Sequence, residues 1–253
     1  MYLYTSFDYL CNEPFYLDRI GYFRCPTLKD IRMKSYLFFR VLLNLIISSK
    51  EELLEQQMST LLSREADIDS IKKMSKFDFL IYLDKDMLLE SISFFSCNKV
   101  KFQDNMYVIF DTDEGNKCVL YGYINDDNFE IFCNEIKKIL GLSQENQIEP
   151  KFKNNTAKKL FEKMKKHSKE QKKKQDENYT LDNMIKKYCT HNKVGINILN
   201  VWDMTYYQFI SMFNEYCNGR QCDFNDMMAA NTFSYKKSTD YKPLDYIKKL
   251  NNN

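Results

Sequence analysis

The sequence predicts an α+β fold that is mainly helical: an N-terminal α+β domain with small antiparallel hairpins, then a small C-terminal helical domain. Three observations carry this. Gly (6) and Pro (4) are scarce for a 253-residue chain, which favours long helices over a many-stranded sandwich. Hydrophobic residues make up 44% and aromatic residues 15%, enough to bury a sizeable core. The apolar period is helical over most of the length and switches to strand-like runs in two short regions. The expected division is an α+β domain over 1–148, a lysine-rich helical connector or linker over 149–178, and a helical domain with a flexible tail over 179–253.

The first strand-like region is "EPFYLDRIGYFRCPTLKDI". Two aromatic and aliphatic runs, Phe15 to Leu17 and Ile20 to Cys25, flank Asp18 and Arg19 and read as a hairpin or two edge strands. Pro26 ends the second run. Thr27 with Asp30 three residues on forms a capping-box pattern, Asp replacing the usual Glu. From Leu28 to about Ile47 apolar residues cover most of a helical circumference, which predicts one central helix. The stretch "SSKEELLEQQMSTLLSREADIDSIKKM" continues helical, and Asp78 to Phe95 is a further helix.

Between Lys99 and Ile124, β-branched and aromatic runs on both sides of "DTDEGN" predict two antiparallel strands joined by a Gly-containing turn. Asp126 or Asp127 is then expected to cap a helix whose apolar residues Phe129, Phe132, Ile136 and Ile139 share one face, with Gly141 as its C-cap.

From Lys151 to Lys174 eleven lysines face two glutamates, a local charge of +9, while the whole chain carries only +2. Leu160, Phe161 and Met164 give the first part of this run an apolar stripe. A solvated helix or linker is the plainer reading; the functional one is a basic arm, with Lys158, Lys159, Lys163, Lys165, Lys166, Lys172, Lys173 and Lys174 as its contacts to phosphate or an acidic partner. Beyond Thr180 three helices are expected, "LDNMIKKYC", "MTYYQFISMFNEYC" and "DFNDMMAAN". The middle one starts at a Thr205/Gln208 capping box, buries Phe209, Ile210, Phe213, Tyr216 and Cys217, and ends at Gly219.

Motif chemistry gives no active site. Cys189, His191, Cys217 and Cys222 supply ligand types for zinc, yet C-x-H and C-x4-C are not the tight pairs of structural sites. Only His167 and His191 are available as imidazole bases, and no G-x-S-x-G, H-E-x-x-H or P-loop pattern occurs. "DTDEGN" opens like a calcium loop but lacks a Glu at its twelfth position. The carboxylate pairs Asp84 with Asp86 and Asp126 with Asp127 read as surface or capping residues. The chain is therefore expected to be no enzyme and to need no metal or cofactor. A single arginine in the C-terminal part, Arg220, argues against base-specific nucleic-acid recognition.

Eight scattered cysteines, no secretory signal at the start and an apolar run of only Tyr36 to Ile47 predict reduced thiols, a cytoplasmic location and no membrane span.

Two stretches, "PFYLDRIGYFRCPTLKDI" and "VWDMTYYQFISMF", resemble tail-assembly proteins of bacteriophages of low-GC Gram-positive bacteria, in particular the tail assembly chaperones. The matching positions are Pro26, Thr27, Leu28, Asp30 and Ile31, and Thr205, Gln208 and Phe209. The resemblance implies a non-enzymatic protein of virion morphogenesis that binds tape-measure or other tail proteins in the host bacterial cytoplasm. A tail or baseplate component, located in the virion tail, is the nearest alternative, and a nucleic-acid-associated accessory protein using Lys151 to Lys174 is the next. Tyr206 and Tyr207, off the strongest buried stripe, are the residues proposed from the sequence to face a protein partner, with closure of the domain core as the equally supported alternative.

Overall fold

The computed structural model describes residues 4–63, 67–113, 117–142 and 180–230. The described residues before 143, together with Asp203–Gln208, form one compact unit, and the remaining ones form a second. The fold is α+β and mainly helical, with a two-stranded and a three-stranded antiparallel sheet.

Strands β1 (Phe15–Leu17) and β2 (Gly21–Phe23) pair as the sequence predicts, with Phe15 opposite Phe23 and Arg19 in the left-handed region of the turn. Alternation sends Phe15, Leu17 and Phe23 into the core and Tyr16 and Tyr22 outward. The hairpin leads into helix α1 (Leu28–Lys34) through the predicted box: Thr27 Oγ1 accepts from the Asp30 amide at 3.1 Å, and Asp30 accepts from the Thr27 amide at 3.0 Å. That pairing satisfies amide donors a helix start otherwise leaves open.

The single central helix expected from Leu28 to Ile47 is in fact two. Ser35, at φ +73°, breaks the chain, and its side chain caps helix α2 (Tyr36–Ile47) by accepting from the Phe38 amide. Apolar periodicity runs straight through the break, which is why it does not register in the pattern. Helices α3 (Lys50–Ser63) and α4 (Ile68–Lys73) follow, the second capped by Asp67. Helix α5 (Lys76–Phe95) starts at Ser75 and kinks at Asp84, whose carboxylate restarts it by accepting from the amides of Asp86 and Met87. Two lysines close helix ends where free carbonyls favour positive charge. Lys76 donates to the Ile46 carbonyl of α2 at 2.9 Å, and Lys50 donates to the carbonyls of Lys72 and Met74 at the C-terminal end of α4.

The second sheet has three strands where two were expected: β3 (Lys99–Gln103), β4 (Met106–Thr112) and β5 (Cys118–Ile124), in the order β3-β4-β5. Asp104 and Asn105, both with positive φ, turn the chain between the first two, a geometry that Asp and Asn tolerate best among side-chain-bearing residues. Helix α6 (Asp126–Ile139) is capped one residue earlier than expected. Asn125, not Asp126 or Asp127, is the N-cap, and its amide donates to Asn128. The predicted face of α6, Phe129, Phe132, Ile136 and Ile139, is fully buried. Gly141, at φ +70°, ends the helix as predicted: its amide donates to Lys138 and that of Leu142 to Lys137, the two bonds of a Schellman motif.

The core of this unit is a run of interlocked rings contributed by α2, α5, α6 and both sheets. Phe23 meets Phe132 (5.2 Å between centroids), Phe77 meets Phe129 (5.3 Å) and Tyr107 (6.0 Å), and Phe39 meets Phe94 (5.8 Å). Such tilted and edge-on contacts add to the burial of apolar area.

In the second unit, helix α7 (Leu181–His191) buries Leu181, Ile185 and Tyr188, and the part of α8 (Tyr206–Ala230) from Phe209 on buries Phe209 and Phe213. Tyr188 stands edge-on to Phe209 and to Tyr216. The two separate helices expected after Met204 are one, because Gly219 lies inside α8 and does not end it. A lone glycine weakens a helix by only about 1 kcal/mol, and helix-compatible residues continue on both sides.

Candidate partner-binding surface

Tyr206 and Tyr207 are engaged within the first unit. Tyr207 is buried beside Tyr9 (centroids 5.6 Å apart), its amide donates to Cys25 Sγ at 3.4 Å and its hydroxyl to the Ser6 carbonyl at 3.4 Å. The Tyr206 ring stands edge-on to Phe39 at 5.4 Å, and burial pushes its hydroxyl up to about 12. The two stretches that carry the phage resemblance meet here. Leu28 N–H donates to the Met204 carbonyl (2.9 Å), Tyr206 N–H donates to the Pro26 carbonyl (2.8 Å), and Thr27 and Thr205 form an antiparallel bridge. Each stretch brings its own capping box, since Gln208 accepts from the Thr205 amide and Thr205 Oγ1 accepts from the Gln208 amide. The boxes were legible in the sequence; their contact, between segments so far apart, was not.

The eight lysines read as a basic arm, Lys158, Lys159, Lys163, Lys165, Lys166, Lys172, Lys173 and Lys174, lie outside the described residues.

Catalytic or metal chemistry finds no constellation among the described residues: no group of three or more His, Cys, Asp or Glu side chains is placed to hold an ion. Cys25 and Cys133 are buried, and desolvation pushes each thiol up to about 11, so neither is a ready nucleophile. Lys76 touches Cys133 at 3.9 Å, and burial lowers its own ammonium from the ordinary range. A hollow on α8 is lined by Arg220, Gln221, Phe224 and Asn225, all from one helix.

The described surface does offer exposed apolar area. On α2 the buried face is Phe39, Leu42 and Ile46, and the opposite face leaves Leu37 73% and Val41 40% exposed, one helical turn apart. Tyr36 and Ile47 are exposed on the same helix, and Met33, in the last turn of α1, is 77% exposed. Arg40 and Asn44 are the polar positions of this helix, and grouped apolar side chains left exposed are a common mark of an interaction site. A second apolar area, Leu120 and Tyr123 on β5 with Tyr16, Tyr22 and Tyr121 in a row of ring contacts, borders charged side chains. Lys101 Nζ sits over Phe110 at 5.3 Å, and Lys99 donates to Thr112 across the sheet. Lysines on an edge strand are the usual means of keeping other strands away. The α2 face is thus the better candidate for a partner, and neither composition nor motif pointed to it. Its signal is the apolar stretch "YLFFRVLLNLII", in which only Arg40 and Asn44 are polar.

The fold is thus α+β and mainly helical, with exposed apolar side chains on α2 among the described residues. A family model described as "YomV second domain" matches residues 171–251. This stretch is therefore similar to a phage-derived protein family. No curated protein and no solved structure matches the chain. The matched range contains the described residues of the second unit and also Asp203–Gln208, which pack in the first. None of the described helices is long and apolar enough to cross a membrane.

Proposed function

We propose that this is a non-enzymatic phage tail-assembly protein that binds an apolar helix of a tail protein, of tape-measure type, on the outer face of α2. The observation that carries the reading is the exposed row Leu37 and Val41 on a helix whose other face is fully buried. A partner helix laid along it would bury apolar area at roughly 25 cal/mol per Å². The similarity of residues 171–251 to a phage-derived family supports the phage setting.

The test is co-expression of the tagged chain with a candidate tape-measure protein and capture at low and high salt. Capture should survive high salt, as apolar burial does, and the double substitution Leu37→Asp, Val41→Asp should abolish it while leaving the thermal midpoint in place. Capture that ignores the substitutions would refute the α2 site. Recovery of nucleic acid that washes off with salt would instead favour the lysine-rich arm.

A further inference from the structure

Residues 203–208 belong to the first unit, while their neighbours Trp202 and Phe209 belong to the second. Five consecutive residues of this segment, Met204–Gln208, make contacts to the rest of the first unit. The Met204 carbonyl accepts from Leu28, and Tyr206 N–H donates to Pro26. Thr205 is completely buried and bridges to Thr27. Tyr207 reaches Cys25 and Ser6, and Gln208 Nε2 donates to the Leu10 carbonyl at 2.8 Å. Gly141 completes the receptor side: a Cβ there would lie 3.1 Å from the Tyr207 ring. The segment's backbone contacts to the rest of the unit are made with the Leu28 amide, the Pro26 carbonyl and Cys25 Sγ.

We infer that the first unit carries a docking slot for a short helix-starting peptide of the form M-T-Y-Y-Q, occupied by the chain's own Met204–Gln208 and able to take the same segment from a second copy. The recognition is linear, so continuity of the chain is not part of it. Pro26, Thr27 and Leu28 supply a strand-like edge, Tyr9, Cys25 and Gly141 supply a pocket for the second tyrosine, and Phe39 supplies a wall for the first. The inference does not depend on the α2 site or on the identity of a tail partner.

The test uses the full-length chain with Thr205→Ala and Tyr207→Ala, which weaken its own occupant, and a fluorescent peptide of residues 200–214. The variant should bind the peptide at least tenfold more tightly than the wild-type chain, whose slot is filled, and a peptide carrying the same two alanines should not bind. Equal binding to both proteins, or none to a variant that keeps its helical signal, overturns the inference. Hydrogen exchange on the wild-type chain gives an independent answer should the variant not fold. The amides of Leu28, Tyr206 and Tyr207 should exchange together, through an opening easier than global unfolding. Exchange of these three only at the rate of the α6 amides would make the segment an inseparable part of the core and would equally overturn the slot.

Discussion

The two faces of α2 both carry large apolar side chains and differ in their burial. Phe39, Leu42 and Ile46 are fully buried, Phe39 against the Phe94 and Tyr206 rings, whereas Leu37 and Val41 stay exposed. The difference teaches that hydrophobicity alone does not assign a residue to the core. Neighbours already fix the buried face, and that face carries stability; the open face has no such neighbours among the described residues and contributes to binding if anything fills it.

The largest effect expected from breaking this contrast is on the buried side. Phe39→Ala removes a ring packed against Phe94 and Tyr206 and should lower unfolding stability by about 3–5 kcal/mol, read by denaturant titration. Next comes pH. Cys25 and Cys133 have folded-state values raised from 9 to about 11 by burial. Their protonated thiols therefore contribute fully below pH 9, and that contribution is lost as pH rises through 11. Stability should fall on the order of 2 kcal/mol per thiol across that window, and Cys133→Ala should flatten the alkaline slope.

Two glycines sharpen the same contrast with opposite signs. Gly141→Ala must hold φ +70° and push against Tyr207, and should cost about 1–2 kcal/mol. Gly219 lies in a helix with open space where its Cβ would be, so Gly219→Ala should raise stability by about 0.5–1 kcal/mol. The smallest effect belongs to the open face. Leu37→Asp alone should change stability by no more than about 0.5 kcal/mol, because an acidic residue in a helix's first turn is favoured; a thermal melt decides this.

Local signals in the sequence proved dependable where the chemistry is local. Thr27 with Asp30, Thr205 with Gln208, the hairpin around Asp18 and Arg19 and the buried face of α6 all depend on residues within a turn or two of each other. The errors have physical causes. Ser35 interrupts an apolar pattern whose period continues beyond it, and Asp104-Asn105 is a two-residue turn inside an alternation that reads as one strand. Gly219 was given a stop signal that its helical neighbours override. The sequence leaves Tyr206 and Tyr207 open between a partner-facing and a core-closing role, because the pattern of α8 alone cannot see Tyr9, Cys25 and Phe39, which come from more than 160 positions away. For the same reason the candidate surface on α2 is not visible in the sequence: apolar residues cover most of the helical circumference there, and only the packing shows which of them remain uncovered.

The late arrival of Met204–Gln208 sets a timetable for synthesis. About 60 residues separate Leu142 from Asp203, so a ribosome working at 5–20 residues per second leaves the first unit waiting roughly 3–12 s for its final segment. Throughout that interval the edge at Pro26 to Leu28 and the pocket beside Tyr9 are bare on the nascent chain, and in a crowded polysome the next chain's segment is close at hand.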